Sequence, residues 1–270
     1  MHRHPQGPGA ERGGVLERLL IRVPDRDSFE LEFSAAGRTI HATVSVPGED
    51  LRMTDLLPLL FSFSNALVML GEDVAREAGK PASCRAGCGA CCRQLVPVSE
   101  PEALHIAELV QAMPPDRASV VRERFRAALD ALGAGLAGRL RDRDANKALD
   151  QRRELGLEYF RAGVPCPFLE NESCSIYEQR PLSCREYLVS SPAENCKRPS
   201  AETITMIPVP AKLSEFLYCF GDGAGHDRTR WVPLILALEW AEAQKAEAPR
   251  WPAPKLFENF LRQVGPGKDE

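Results

Sequence analysis

Eight of the nine cysteines in this 270-residue chain fall in two groups, and they are the residues with the most chemistry to offer. The first group is Cys84, Cys88, Cys91 and Cys92, in the run CRAGCGACC. Thiols at this density suit chelation of a zinc ion or of an iron-sulfur cluster such as 4Fe-4S. Gly87 and Gly89 flank Cys88. Without a Cβ, the backbone there is free to fold tightly and aim amide hydrogens at sulfur. The second group is Cys166, Cys174, Cys184 and Cys196, separated by seven, nine and eleven residues. None of those gaps is the two-residue spacing of a zinc ribbon, so this group signals metal only in company with the first. Four thiolates around a zinc ion or a doubly positive cluster leave a net charge of about -2, and Arg85, Arg93, Arg180 and Arg185 are close in sequence to offset it. Adjacent Cys91 and Cys92 cannot easily both meet one ion at tetrahedral angles, which leaves room for ligands from elsewhere. The two groups are therefore expected to share at least one metal site, with the helices between them forming an excursion that returns the chain to where it left.

The run GCGACC at 87–92, then CPFL at 166–169, CSIYEQRP at 174–181 and CREY at 184–187, resembles the CxxCxxCC cysteine-cluster family of YkgJ-type proteins. The resemblance implies a zinc- or iron-chelating domain. Flagellin lysine N-methylase is a relative with a similar cluster, and other such proteins carry the label of iron-sulfur oxidoreductase. The resemblance therefore leaves open an iron-sulfur or group-transfer enzyme, and with it a redox or protein partner. The first gap here holds three residues rather than two, which sets Cys84 apart from Cys88, Cys91 and Cys92. The spacing Cys84-x3-Cys88-x2-Cys91 also resembles that of radical S-adenosylmethionine enzymes, but those place it after the first strand of a β/α barrel. Here a long helix is expected before it and more helices after it.

Other candidates read more simply. Cys219 lies in the apolar run FLYCF and is expected in the core. His105, alone on a helix, reads as a surface or capping residue before it reads as a ligand. Glu100 and Glu102 suit the N-terminus of the helix that they open. The Arg-rich stretch 122–143 also contains Glu123, Asp130 and Asp142, and reads as a solvated helical face. No GxGxxG that follows a strand is present, which favours binding over redox catalysis.

The whole chain bounds these readings. Charged residues make up 27% and apolar residues 44%, the composition of an ordinary globular protein. A formal charge of -4, with Arg interleaved among Asp and Glu, argues against a nucleic-acid partner. The first 14 residues lack the apolar core of an export signal and read as a disordered tail, so a cytoplasmic, reducing location is expected, where clustered thiols hold metal more often than they pair. The uncharged run 56–71 falls short of the roughly 20 apolar residues of a membrane span and reads as a buried helix rather than a membrane anchor. Alternation over 28–46 predicts a β-hairpin, and 54–80 a central helix. Helical periodicity marks 100–113, 115–141 and 145–162. A strand is expected at 203–209, and helices at 231–246 and 255–264. The fold class is mainly α with a small N-terminal β-hairpin, α+β, around an irregular cysteine-rich metal-binding segment. Four parts are expected: the tail at 1–14, hairpin plus helix at 15–80, a metal-binding domain at 81–200, and a helical region at 201–270 packing on it.

Overall fold

The computed structural model of the chain describes residues 16–25, 27–35, 37–142, 149–200, 202–220, 230–244 and 247–264. Strands β1 (Leu16–Asp25), β2 (Ser28–Ala35) and β3 (Arg38–Ser45) form an antiparallel sheet in that order. β2 and β3 stay in register from Ser28 opposite Ser45 to Ala35 opposite Arg38, which is the expected hairpin. Along β2, Phe29, Leu31, Phe33 and Ala35 are buried, the period-two pattern of a sheet with one covered face. The third strand, β1, corrects the hairpin reading. Its sequence, LERLLIRVPD, does not alternate cleanly, and its pairing with β2 shifts register between Leu16 and Arg18 and again between Arg22 and Asp25. A strand interrupted in this way shows little of the period that reveals its neighbours.

After the short strand β4 (Asp50–Leu51) and a 3-10 turn at Met53–Leu56, helix α1 (Leu57–Glu77) runs through the interior with Leu57, Leu60, Phe61, Leu67 and Val68 buried. The segment Met53–Glu77 is long and apolar enough to cross a membrane by length and composition, which corrects the sequence expectation that it falls short. In this fold 56% of its most apolar window is buried, while Met69 is exposed.

Strand β5 (Pro97–Ser99) leads directly into α2 (Glu100–Gln111), and α3 (Pro115–Arg141) and α4 (Leu149–Ala162) follow. Ser99 caps α2 in a capping box: its hydroxyl accepts from the Glu102 amide at 3.3 Å, and its own amide donates back to the Glu102 carboxylate at 2.8 Å. Pro101, within the first turn, loses no bond the helix needs. α3 matches the periodic stretch read from the sequence, with a break at Gly133, whose φ of 71° is left-handed. The expected tail at 1–14 and the start of the helix expected at 145 lie outside the described residues.

A two-strand hairpin, β6 (Leu169–Glu170) with β7 (Ser173–Cys174), precedes α5 (Leu182–Glu186) and α6 (Leu213–Phe220). The chain closes with β8 (Trp231–Pro233), α7 (Ala237–Ala243), β9 (Trp251–Pro252) and α8 (Ala253–Val264). β8 pairs with β5 and β9 with β4, so the C-terminal part fastens the short strands that lead into α2 and α1. The helix expected from 231 begins only at 237, because Trp231–Pro233 is drawn into the β5 ladder. The strand expected at 203–209 amounts to one bridge, Met206 to Val189, as Pro208 and Pro210 lack the amide donors that a longer ladder needs. Two large apolar cores form among the described residues. The first joins the sheet, α1, α6 and α8, with Phe29 edge-on to Phe257 at 5.1 Å. The second joins α2, α3, α4 and the segment 232–238, with Phe125 edge-on to Phe168 at 5.4 Å.

Candidate metal centre

The first cysteine group lies on an irregular approach, 82–89, with a turn at 86–87, and on a single 3-10 turn, Ala90–Arg93. Gly87 takes a left-handed φ of 78°, a conformation costly to any residue with a Cβ. Gly89 has an ordinary backbone, φ -90° and ψ 15°, and is there for space. A Cβ on it would meet Leu169 Cδ1 and Glu172 Oε2, each at 2.7 Å, and the Glu172 Cα at 3.2 Å. The tip of the β6–β7 hairpin therefore rests on the backbone of the first group. That hairpin turns through Asn171 and Glu172, both at positive φ, which suits a two-residue turn and which Asn tolerates better than Glu.

Further contacts fix the same junction. The Cys166 amide donates to the Cys92 carbonyl at 2.7 Å, joining the two groups backbone to backbone. Arg93 donates to the Gly89 carbonyl at 2.9 Å and pairs with Glu172 at 2.7 Å. Phe168, buried between the second core and this loop, accepts from the Ser175 amide at 2.9 Å, and β6 pairs Leu169 with Cys174. On the other side, Ser83 donates its amide to Val189 at 2.9 Å and its hydroxyl to Ser191 at 2.5 Å. Ala90, Val189 and Cys196 form a small apolar cluster with Cys88, Tyr187 and Ile204 against it. The helical stretch from α2 to α4 is thus an excursion that brings the chain back to the first group, as expected.

The thiols sit in this frame at different depths. Cys196 is buried, Cys84 is exposed and the other clustered cysteines lie between. Among the described residues none of the cysteines is in a disulfide. A hydrogen bond from Cys92 holds the Cys91 thiol down to about 7, and the Arg180 charge acts in the same direction. The same bond, together with burial, drives the Cys92 thiol strongly upward. Burial pushes Cys166 up to about 12 and raises Cys174, Cys84 and Cys196, and it raises Cys184 well above its ordinary range. Ligation by the buried thiols therefore has to displace protons.

Of the four arginines read as charge partners, Arg180 serves the thiols most directly, since its charge also lowers Cys174. It stacks 3.6 Å over the Tyr177 ring. Arg93 is committed to Glu172, and Arg85 faces Glu194 at 4.0 Å. Arg185 is buried, bound to the Arg180 carbonyl at 2.9 Å and to Asn65 at 3.0 Å, and lies over Phe61. It holds α5 to α1. His105 is likewise spoken for, with Nε2 3.0 Å from Gln179 Oε1 and its ring edge-on to Phe61. Cys219 is half-buried on α6 rather than enclosed.

Sequence reasoning read Glu102 only as a helix-end carboxylate, and the structure gives it a second task. Fully enclosed, it also accepts from the Leu182 amide at 2.7 Å, and so ties the start of α2 to the start of the helix that carries Cys184. No spacing signal announces such a bond, because its partners are 80 residues apart.

The donors suit zinc or iron, but their present arrangement is not a finished site. Among the described residues, no group of three or more His, Cys, Asp or Glu side chains is placed to hold a metal ion.

Fold and junction together define a largely helical protein in which two distant thiol groups are brought to one place. Residues 83–204, a little under half of the chain, match the model of the CxxCxxCC family, described as "Putative zinc- or iron-chelating domain". The match takes in all eight clustered cysteines. No curated protein and no solved structure matches the chain.

Proposed function

We propose that this chain chelates zinc or iron through thiolates drawn from both groups, with Cys91, Cys92, Cys166, Cys174 and Cys184 gathered around the junction. The observation that supports this best is the 2.7 Å bond from the Cys166 amide to the Cys92 carbonyl, inside the segment matched by the chelating family. It leaves the ligands of the second group little distance to travel. Closing a long loop costs only about 0.6 kcal/mol more per doubling of its length, and metal ligation contributes several times that. A metal bound there would supply structural fastening for a segment, 163–200, that has little core of its own, in a reducing compartment where the thiols stay available. Arg180 would offset part of the thiolate charge, and Glu102 would hold the Cys184 helix in place.

The test is metal content after substitution in the second group alone. Cys166→Ser or Cys184→Ser should release most of the metal from a protein whose first group is intact. Undiminished metal in both variants would show that the second group takes no part.

A further inference from the structure

The N-terminal sheet has two free edges among the described residues, and they are built differently. β1 shifts register twice and carries Arg18, Arg22 and Pro24, features that discourage another strand from pairing with it. β3 lacks such guards. Its sequence, RTIHATVS, holds register with β2 without a bulge and includes no proline, lysine or acid. The two-residue loop between Ala35 and Arg38 makes those residues exchange both backbone bonds, and the pairing alternates from there. Thr39, His41, Thr43 and Ser45 therefore point their amides and carbonyls away from β2. Among the described residues no other strand meets them.

The core beneath this edge is only half covered. On β2 the inward row from Phe29 to Ala35 is buried, whereas its neighbours on β3, Ile40, Ala42 and Val44, are half-buried against the same core. Arg38 reaches Asp73 of α1 at 3.8 Å, so β3 runs beside the flank of α1 that carries Met69, one turn before Asp73 and 63% exposed.

We propose that this edge joins two copies of the chain, β3 against β3, in an antiparallel pair that continues the sheet across a two-fold axis. A second copy is the occupant that the strand itself specifies. In the register that uses every outward residue, Thr39 of one copy pairs with Ser45 of the other, and His41 with Thr43. The same register sets Ile40 opposite Val44 and Ala42 opposite Ala42 on the inward face. Polar residues then meet polar ones outside and apolar residues meet apolar ones inside, with the smallest side chain at the axis. Charge raises no obstacle. Arg38 is held by Asp73 and Glu77 of its own α1, and it falls opposite Val46 of the other copy rather than its own counterpart. A contact of this kind closes on itself and leaves only the guarded β1 edges outside. It uses no cysteine and is independent of the chelating function.

The experiment is light scattering on the purified full chain over a dilution series. Wild type should reach a mass of twice 29.8 kDa at high micromolar concentration. Thr43→Pro removes an outward amide and no bond to β2, so it should run as a monomer with an unchanged circular dichroism spectrum. Thr43→Val keeps that amide and should stay dimeric. Wild type that is monomeric at every concentration, or Thr43→Pro that dimerises as wild type does, would overturn the pairing. If Thr43→Pro does not fold, hydrogen exchange on wild type decides. The amides of Thr39, His41, Thr43 and Ser45 should be protected in concentrated solution and lose that protection on dilution to the monomer. Protection that persists in the monomer, or none at any concentration, would overturn the proposal equally.

Discussion

Gly89→Ala perturbs the junction without removing a thiol. The added methyl group would lie 2.7 Å from both Leu169 Cδ1 and Glu172 Oε2, and 3.2 Å from the Glu172 Cα, against an ordinary contact of about 3.4–4 Å. The two side-chain ends are able to turn aside. The Cα belongs to a tight turn at φ 57° and yields only if the hairpin moves. Overpacking of this kind costs about 1–3 kcal/mol. A chain that relaxes by parting hairpin from loop has to recover that energy when a metal draws the segments together, which corresponds to binding weakened roughly 5- to 150-fold. Gly79→Ala is the control: it meets nothing within 4 Å but has a φ of 71°, so it should lose about 1–2 kcal/mol of stability through backbone strain alone and keep its metal affinity. Zinc competition with a chromophoric chelator measures both variants. Unchanged affinity in Gly89→Ala would refute the view that contact between the two segments positions the ligands.

Cys91→Ser should lower metal content far more than Cys219→Ser, measured by elemental analysis, and equal losses would mean the cysteines are wrongly divided between site and packing. His105→Ala should leave metal content unchanged, because the imidazole is held by Gln179 and Phe61; a clear loss would restore it as a ligand. Burial raises the Glu186 carboxyl from its ordinary 4.5 to about 7, so the folded chain holds a proton that the unfolded chain gives up between those values. In metal-free protein, stability should be greatest below about pH 4.5 in this contribution and fall as pH rises towards 7, by up to about 1.4 kcal/mol per pH unit. Glu186→Gln should flatten that slope in denaturant melts, and an identical slope in both forms would refute the assignment.

Much of this molecule was legible because its signals are local. α3 followed from apolar residues at helical spacing, and the start of α2 was marked by Glu100 and Glu102. The β2–β3 pair followed from alternation. What stayed hidden depends on distant partners. β5 and β8 are three residues each and take their identity from one another across the chain. α6 is short, and its apolar run FLYCF was read only as core, while packing against α8 shows it as a helix. The meeting of the cysteine groups was foreseen from the weakness of the second group alone. Its mechanics were not, because Gly89 looks like a residue chosen for flexibility and proves to be one chosen for room.

The central claim is that the clustered thiols hold metal at the junction, and the most direct measurement combines metal analysis with thiol counting on anaerobically purified full-length protein. The account expects at least one zinc or iron per chain, with Cys91, Cys92, Cys166 and Cys184 protected from a thiol reagent until a strong chelator is added. A folded, metal-free protein whose clustered thiols react the same way with and without the chelator would contradict it.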